Sequence, residues 1–220
     1  MASRDLKSVS EPRVKPRLRG ASHQYAFFLA VIAGTALVAG AETTGARVAV
    51  AVYAFSVAAM FGASALYHRI IWPPAHRRIL RRLDHAMIYF LIAGTYTPFA
   101  TLALSGGVGV AVLVLVWAGA LAGIVLAFAW SNRPTWVEAV LAVALGWTGL
   151  IVLPQLVNAV GLTVVGLVLA GGLFYTAGAL VYARRRPDPI PAVFGYHELF
   201  HALVVVAAAC QYAAIASFVL

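Results

Sequence analysis

The run Val108-Gly-Val-Ala-Val-Leu-Val-Leu-Val-Trp-Ala-Gly-Ala-Leu-Ala-Gly-Ile-Val-Leu-Ala-Phe-Ala-Trp130 holds no charged or strongly polar side chain. About 20 apolar residues, at 1.5 Å rise each, cross the ~30 Å hydrocarbon core of a bilayer, so this run predicts a transmembrane helix. Six more apolar runs flank it, at 25–41, 48–71, 84–104, 137–153, 160–182 and 195–219. The first and fifth of the seven are the shortest and lie near the lower limit for a span. The predicted fold is therefore all-α, an integral membrane bundle of seven transmembrane helices over residues 25–220. A basic, Pro-containing tail over 1–24 precedes it and is expected to be disordered.

Composition agrees. Of 220 residues, 63% are hydrophobic and 10% charged, where a soluble domain carries about 25% charged residues. Too little polar surface exists to coat a globule in water. The net charge of +9 is spread in short basic clusters between apolar runs, as in cytoplasmic loops. No polar domain is left to bind nucleic acid, so that partner is not expected. The single cysteine, Cys210, excludes an internal disulfide and a Cys-rich metal module. Ala39-Gly-Ala41 resembles a signal-peptide cleavage site, but the apolar run before it is long for one.

Connections are short and rich in breakers: Ser105-Gly-Gly, Ser131-Asn-Arg-Pro, Pro154-Gln and Arg184-Arg-Arg-Pro-Asp-Pro-Ile-Pro191. Lys and Arg set the orientation. The tail, the loop after the second run (Arg69, Arg77, Arg78, Arg81, Arg82), Arg133 and Arg184–Arg186 lie on one side, against Arg47 on the other. That bias puts the amino terminus in the cytoplasm and the carboxyl terminus outside, in the cell (inner) membrane. A G-protein-coupled receptor has the opposite orientation. A retinal protein needs a Schiff-base lysine in its last helix, and the only lysines are Lys7 and Lys15 in the tail.

Helix polarity then brings polar groups together. The second helix ends at the cytoplasmic edge with Ser64-Ala-Leu-Tyr-His68, just before Trp72-Pro73-Pro74, where it must stop. The third and seventh begin at that edge, with Asp84-His85 and His197-Glu-Leu-Phe-His201. Spacing i,i+4 lets His197 and His201 reach one ion, and Ser64 lies one turn above His68 on the same face. Three imidazoles and a carboxylate at one depth make a zinc site with an open position, and ionisable groups in a span are costly enough to signal a task. Blander readings stand beside this. His85 and His76 read as snorkelling or hydrogen-bonded residues, His23 as a tail residue without a role, and Asp84 alone as an anchoring charge beside Arg81 and Arg82. Gly119-Ala-Leu-Ala-Gly123 reads as helix packing. Pro98, closing Gly94-Thr-Tyr-Thr-Pro98, is expected to kink or loosen the third span.

These motifs, with Leu83-Asp84-His85 leading into Gly94-Thr-Tyr-Thr-Pro98, resemble the bacterial hemolysin III proteins, the prokaryotic arm of the progestin and adipoQ receptor (PAQR) family. The resemblance covers residues 22–219. It implies seven membrane helices, a cytoplasmic amino terminus, and a Zn²⁺ site near the cytoplasmic leaflet. His68, His197 and His201 would be the ligands, with Asp84 holding or activating a water and Ser64 in support. Some relatives show ceramidase activity, others are named for red-cell lysis, and the substrate is not fixed.

Three functions follow for testing. The first is zinc-dependent hydrolysis of a lipid amide or ester, with membrane lipids as partners, Asp84 taking the proton and Ser64 donating to the developing oxyanion. The second takes His197-Glu198-Leu-Phe-His201 as a metalloprotease motif with Glu198 as base. No His, Asp or Glu follows His201 as a third ligand, and Glu198 is expected instead to face the interface or an arginine. The third is a non-catalytic sensor, or a cytolytic or channel-type protein, in which zinc clamps helices and Asp84 supplies a fourth ligand. Pore formation calls for a polar stripe along a helix, and none is seen.

Overall fold

A computed structural model describes residues 15–130 and 133–220. Among the described residues every regular element is helical, with no strand beyond an isolated bridge between Ile190 and Phe194. The helices are α1 (Ala21–Gly40), α2 (Thr44–Arg69), α3 (Pro74–Pro98), α4 (Gly106–Ala129), α5 (Thr135–Gly146), α6 (Leu153–Arg184) and α7 (Tyr196–Val219). Among the described residues, six helical stretches are long and apolar enough to cross a membrane. One of them, Thr135–Arg184, joins α5, a 3₁₀ segment (Trp147–Val152) and α6 without a gap.

Where the sequence predicts two separate runs at 137–153 and 160–182, this stretch of 50 residues is continuous. It would measure roughly 75 Å if straight, far more than the ~30 Å of a bilayer core. It is not straight. Gly161 has φ 81 and ψ 166, a region open essentially to glycine alone. The halves on either side fold back, because the Trp147 Nε1 donates to Thr176 Oγ1 at 2.9 Å.

Neighbours in sequence pack in space, α1 on α2, α2 on α3, α3 on α4 and α6 on α7, and α1 also touches α7 to close the ring. The interior of the bundle is mainly apolar, and its outer surface is apolar as well, unlike that of a soluble protein. Leu29, Ile32, Phe55, Val114, Leu121 and Leu173 are exposed on its outer surface, while Ser56, Ser64, Thr97, Glu138, Glu198, His201 and Gln211 are buried. Lipid in place of water on the outside removes the penalty for those exposed side chains.

Small residues set the close approaches. A Cβ at Gly94 would overlap the Ser56 side chain on α2. Gly119 and Gly123 face Leu145 and the Tyr89 ring, so that motif serves packing, as expected. Pro98 ends α3, and a π turn over Phe99–Ala103 follows. The missing proline N–H makes the ladder easy to rearrange there.

Two boundaries differ from the sequence reading. Helix α3 starts at Pro74, ten residues before the apolar run, because a proline at the first position costs nothing there and arginines are good helix formers. Helix α1 starts at Ala21. Of the tail expected over 1–24, residues 1–14 fall outside those described, and Pro16–Gly20 form a turn. Backbone N–H groups of Arg17 and Leu18 donate to Ala192 O and Val193 O, both at 3.1 Å, which docks the turn on the loop before α7.

Candidate metal centre

Three helix ends meet at one end of the bundle. His68 lies in the last turn of α2 and His197 and His201 in the first two turns of α7. Asp84 is in the third turn of α3, not the first, because α3 starts earlier than the apolar run. One ring nitrogen from each of His68, His197 and His201 lies within 4.8 Å of the others. His68 Nε2 is 3.2 Å from His197 Nε2 and 3.4 Å from Asp84 Oδ2. His68, His201 and Ser64 are buried. Asp84 and Ser64 line the same cavity as His197 and His201. The five residues named from the sequence are thus brought to one place.

The donor set fits a divalent cation. Two ligands bound tetrahedrally at 2.0–2.1 Å stand about 3.3–3.4 Å apart, close to the spacing between His68 and His197. Two imidazole nitrogens at that distance, facing a carboxylate, converge on a small positive charge. Among the described residues the buried Nδ1 of His201 has no hydrogen-bond partner, and an orphaned ring nitrogen of that kind is what a bound ion would satisfy.

Around the cluster the chain fixes α7 with two carboxylates. Asp188 Oδ1 accepts from Tyr196 N at 2.8 Å, and Glu198 Oε2 accepts from Gly195 N at 2.9 Å. Negative charge at a helix N-terminus is favourable. Glu198 also pairs with Arg19. Occupied by an arginine and the helix cap, it faces the partner expected for it and is not free to serve as a protease base.

Gly20, with φ 78, lets the chain turn against α2, and a Cβ there would meet His68 Cβ at 2.6 Å. Positive charge gathers at this mouth. Burial, then Arg19, Arg69 and Arg77, hold the Lys15 amine below its ordinary pKa.

Three participants escaped the sequence reading. His23 is buried and stacks on His201, with ring centroids 3.8 Å apart and planes at 4°; it belongs to the site, and reading it as a tail residue without a role is corrected. The clue was the shortness of the first apolar run, which extension through Ser22-His23 to Ala21 repairs. The others are Glu138 and Arg133. His85 Nδ1 lies 2.5 Å from the Glu138 carboxylate, and Arg133 donates to Glu138 Oε1 at 2.9 Å. His85 is thus hydrogen-bonded, as one bland reading held. Glu138 is the sole carboxylate in its apolar run, and the cost of such a group in a span was the signal.

An all-helical, multi-pass membrane protein with three histidines converging from two helices at one end is the class that fold and site define. The chain belongs to the haemolysin-III related family, whose model matches residues 12–212. It is 30% identical to Hemolysin-3 of Bacillus cereus over 178 residues, 81% of this chain and 78% of the relative. It is 30% identical to a Hemolysin-3 homolog of Bacillus subtilis (strain 168) over 164 residues, 73% and 72% of the two chains. A PAQR-type relative, the Monocyte to macrophage differentiation factor of Homo sapiens, is 24% identical over 198 residues, 88% of this chain and 80% of its own.

Proposed function

We propose that this protein is a zinc-dependent hydrolase of a lipid amide or ester, acting at the cytoplasmic leaflet of the cell (inner) membrane. The observation that carries the reading is the grouping of three histidine nitrogens within 4.8 Å, beside Asp84, at the head of a cavity with mostly apolar walls. His68, His197 and His201 would hold the ion, and zinc suits three neutral imidazoles. When bound, zinc supplies Lewis acidity to a carbonyl and to water.

The chain's own groups do the rest. Asp84 takes the proton from the attacking water and returns it to the leaving amine or alkoxide. Ser64, one turn from His68, donates a hydrogen bond to the oxygen on which charge develops. The apolar walls hold the acyl chain and keep bulk water away. The substrate enters from the surrounding lipid, so membrane lipids are the expected partners.

The topology that suits this reading has seven crossings, with the Thr135–Arg184 stretch counted as two that turn at Gly161. The fold-back from Trp147 to Thr176 supports it. With the loop arginines inside, the amino terminus and the histidine cluster lie in the cytoplasmic half and the carboxyl terminus outside.

Single-turnover assays against a panel of ceramides and ester lipids test the activity, with zinc content measured for wild type, Asp84→Asn and His201→Ala. Asp84→Asn is expected to keep zinc and lose about 100-fold or more in rate, and His201→Ala to lose both. A zinc-loaded wild type inert across the panel would favour the sensor reading, in which Asp84 completes a closed structural site.

A further inference from the structure

The cavity beside the histidines continues along α7. His201 and Gln211 both line it, and the helix between them rises roughly 15 Å. Gln211 is 6% exposed. Its Nε2 donates to Val168 O at 3.1 Å. Only the NH₂ group can donate to a carbonyl, so the amide is fixed and its other side is an acceptor. That acceptor, Oε1, is buried and has no hydrogen-bond partner among the described residues. Helix α6 presses on the amide at Gly171, where a Cβ would meet Nε2 at 2.6 Å. One turn further along α6, Tyr175 also lines the cavity, and its buried hydroxyl has no protein partner either. The wall near them includes Leu156, Val168 and Val204.

A plain hydrocarbon chain drawn past this point leaves an acceptor and a hydroxyl unbonded, which buried polar groups rarely tolerate. A group with both a donor and an acceptor satisfies the two. We infer that the deep end of the cavity is a polar subsite for a hydroxyl carried part-way down an aliphatic chain. The distance to the histidines corresponds to roughly a dozen extended methylenes. Gln211 accepts the hydroxyl proton, and Tyr175 donates to its oxygen. This rests on the lipid reading above and narrows the substrate class to hydroxylated acyl chains.

Binding, without turnover, tests it. Purified protein in nanodiscs is loaded with a fluorescent fatty acid, which is displaced by stearate or by hydroxystearate with the hydroxyl on carbon twelve. The hydroxy acid is expected to bind about five- to tenfold more tightly, the worth of one hydrogen bond. Gln211→Leu and Tyr175→Phe each bring that ratio toward one while stearate binds as well as before, which also shows that the variants are folded. A wild-type ratio near one, or a preference that survives in both variants, overturns the inference and leaves the hydrolase reading standing. Failure of both acids to displace the probe overturns the two together.

Discussion

Gly20 and Glu198 hold the segments that carry the histidines, the first packed against His68 and the second capping α7. Gly20 takes a left-handed φ of 78 and abuts His68. Gly20→Ala adds both backbone strain and a clash, so it should cost about 1–3 kcal/mol and weaken metal retention, read by thermal denaturation and metal content. Glu198 separates two chemistries. As the ion-pair partner of Arg19 and the cap of α7, its change to Gln should destabilise the fold by about 1–3 kcal/mol, read as a lowered unfolding midpoint, and leave turnover in the folded fraction intact. A protease base would behave the other way, with unchanged stability and no activity. The residue scale was also the most legible in the sequence. Ser64, His68, Asp84, His197 and His201 are chemically conspicuous in apolar runs, and helix polarity puts them at one end. His23 and Glu138 were hidden because one sat outside an apolar run drawn too short, and the other made sense only beside its partner on another helix.

At the scale of elements, Gly161 is the joint on which the longest helical stretch turns. No atom lies within 4 Å of where its Cβ would be, so a substitution is strained only through φ. Gly161→Ala should therefore destabilise by about 1–3 kcal/mol. Gly166→Ala, five residues on in regular helix and also in open space, should be neutral or stabilising by about 0.5–1 kcal/mol. Denaturation of the two variants in the same detergent compares them. Tyr96 braces the facing segment, its hydroxyl donating to Gly146 O at 2.6 Å and accepting from Gly149 N at 2.7 Å. These features explain what hydropathy could and could not reveal. Apolar runs mark lipid exposure, which is why the spans were legible. They say nothing of a helix that continues through polar residues, as α3 does from Pro74, or of a 3₁₀ segment inside one run that passes straight into the helix of the next.

At the scale of the whole molecule, apolar side chains fill the interior and also cover much of the outside among the described residues, so the bilayer is part of the fold. The docked turn at Pro16–Gly20 and the loop at 190–194 close the end where the histidines lie. With seven crossings, cysteines placed at Gly107 and Gly161 in a Cys210→Ser background should be labelled by an impermeant thiol reagent from outside intact cells. Cysteines at His76 and Arg185 should react only after permeabilisation. Labelling of position 161 from the same side as positions 76 and 185 would remove the two crossings that meet there and contradict that topology.

The proposed chemistry requires the histidines to bind a divalent ion, and elemental analysis of the purified protein from zinc-replete cells measures that most directly. About one zinc per chain is expected for wild type and for Asp84→Asn, and a small fraction of that for His68→Ala and His201→Ala. A wild-type protein that carries no divalent metal and takes up none on titration would contradict the account.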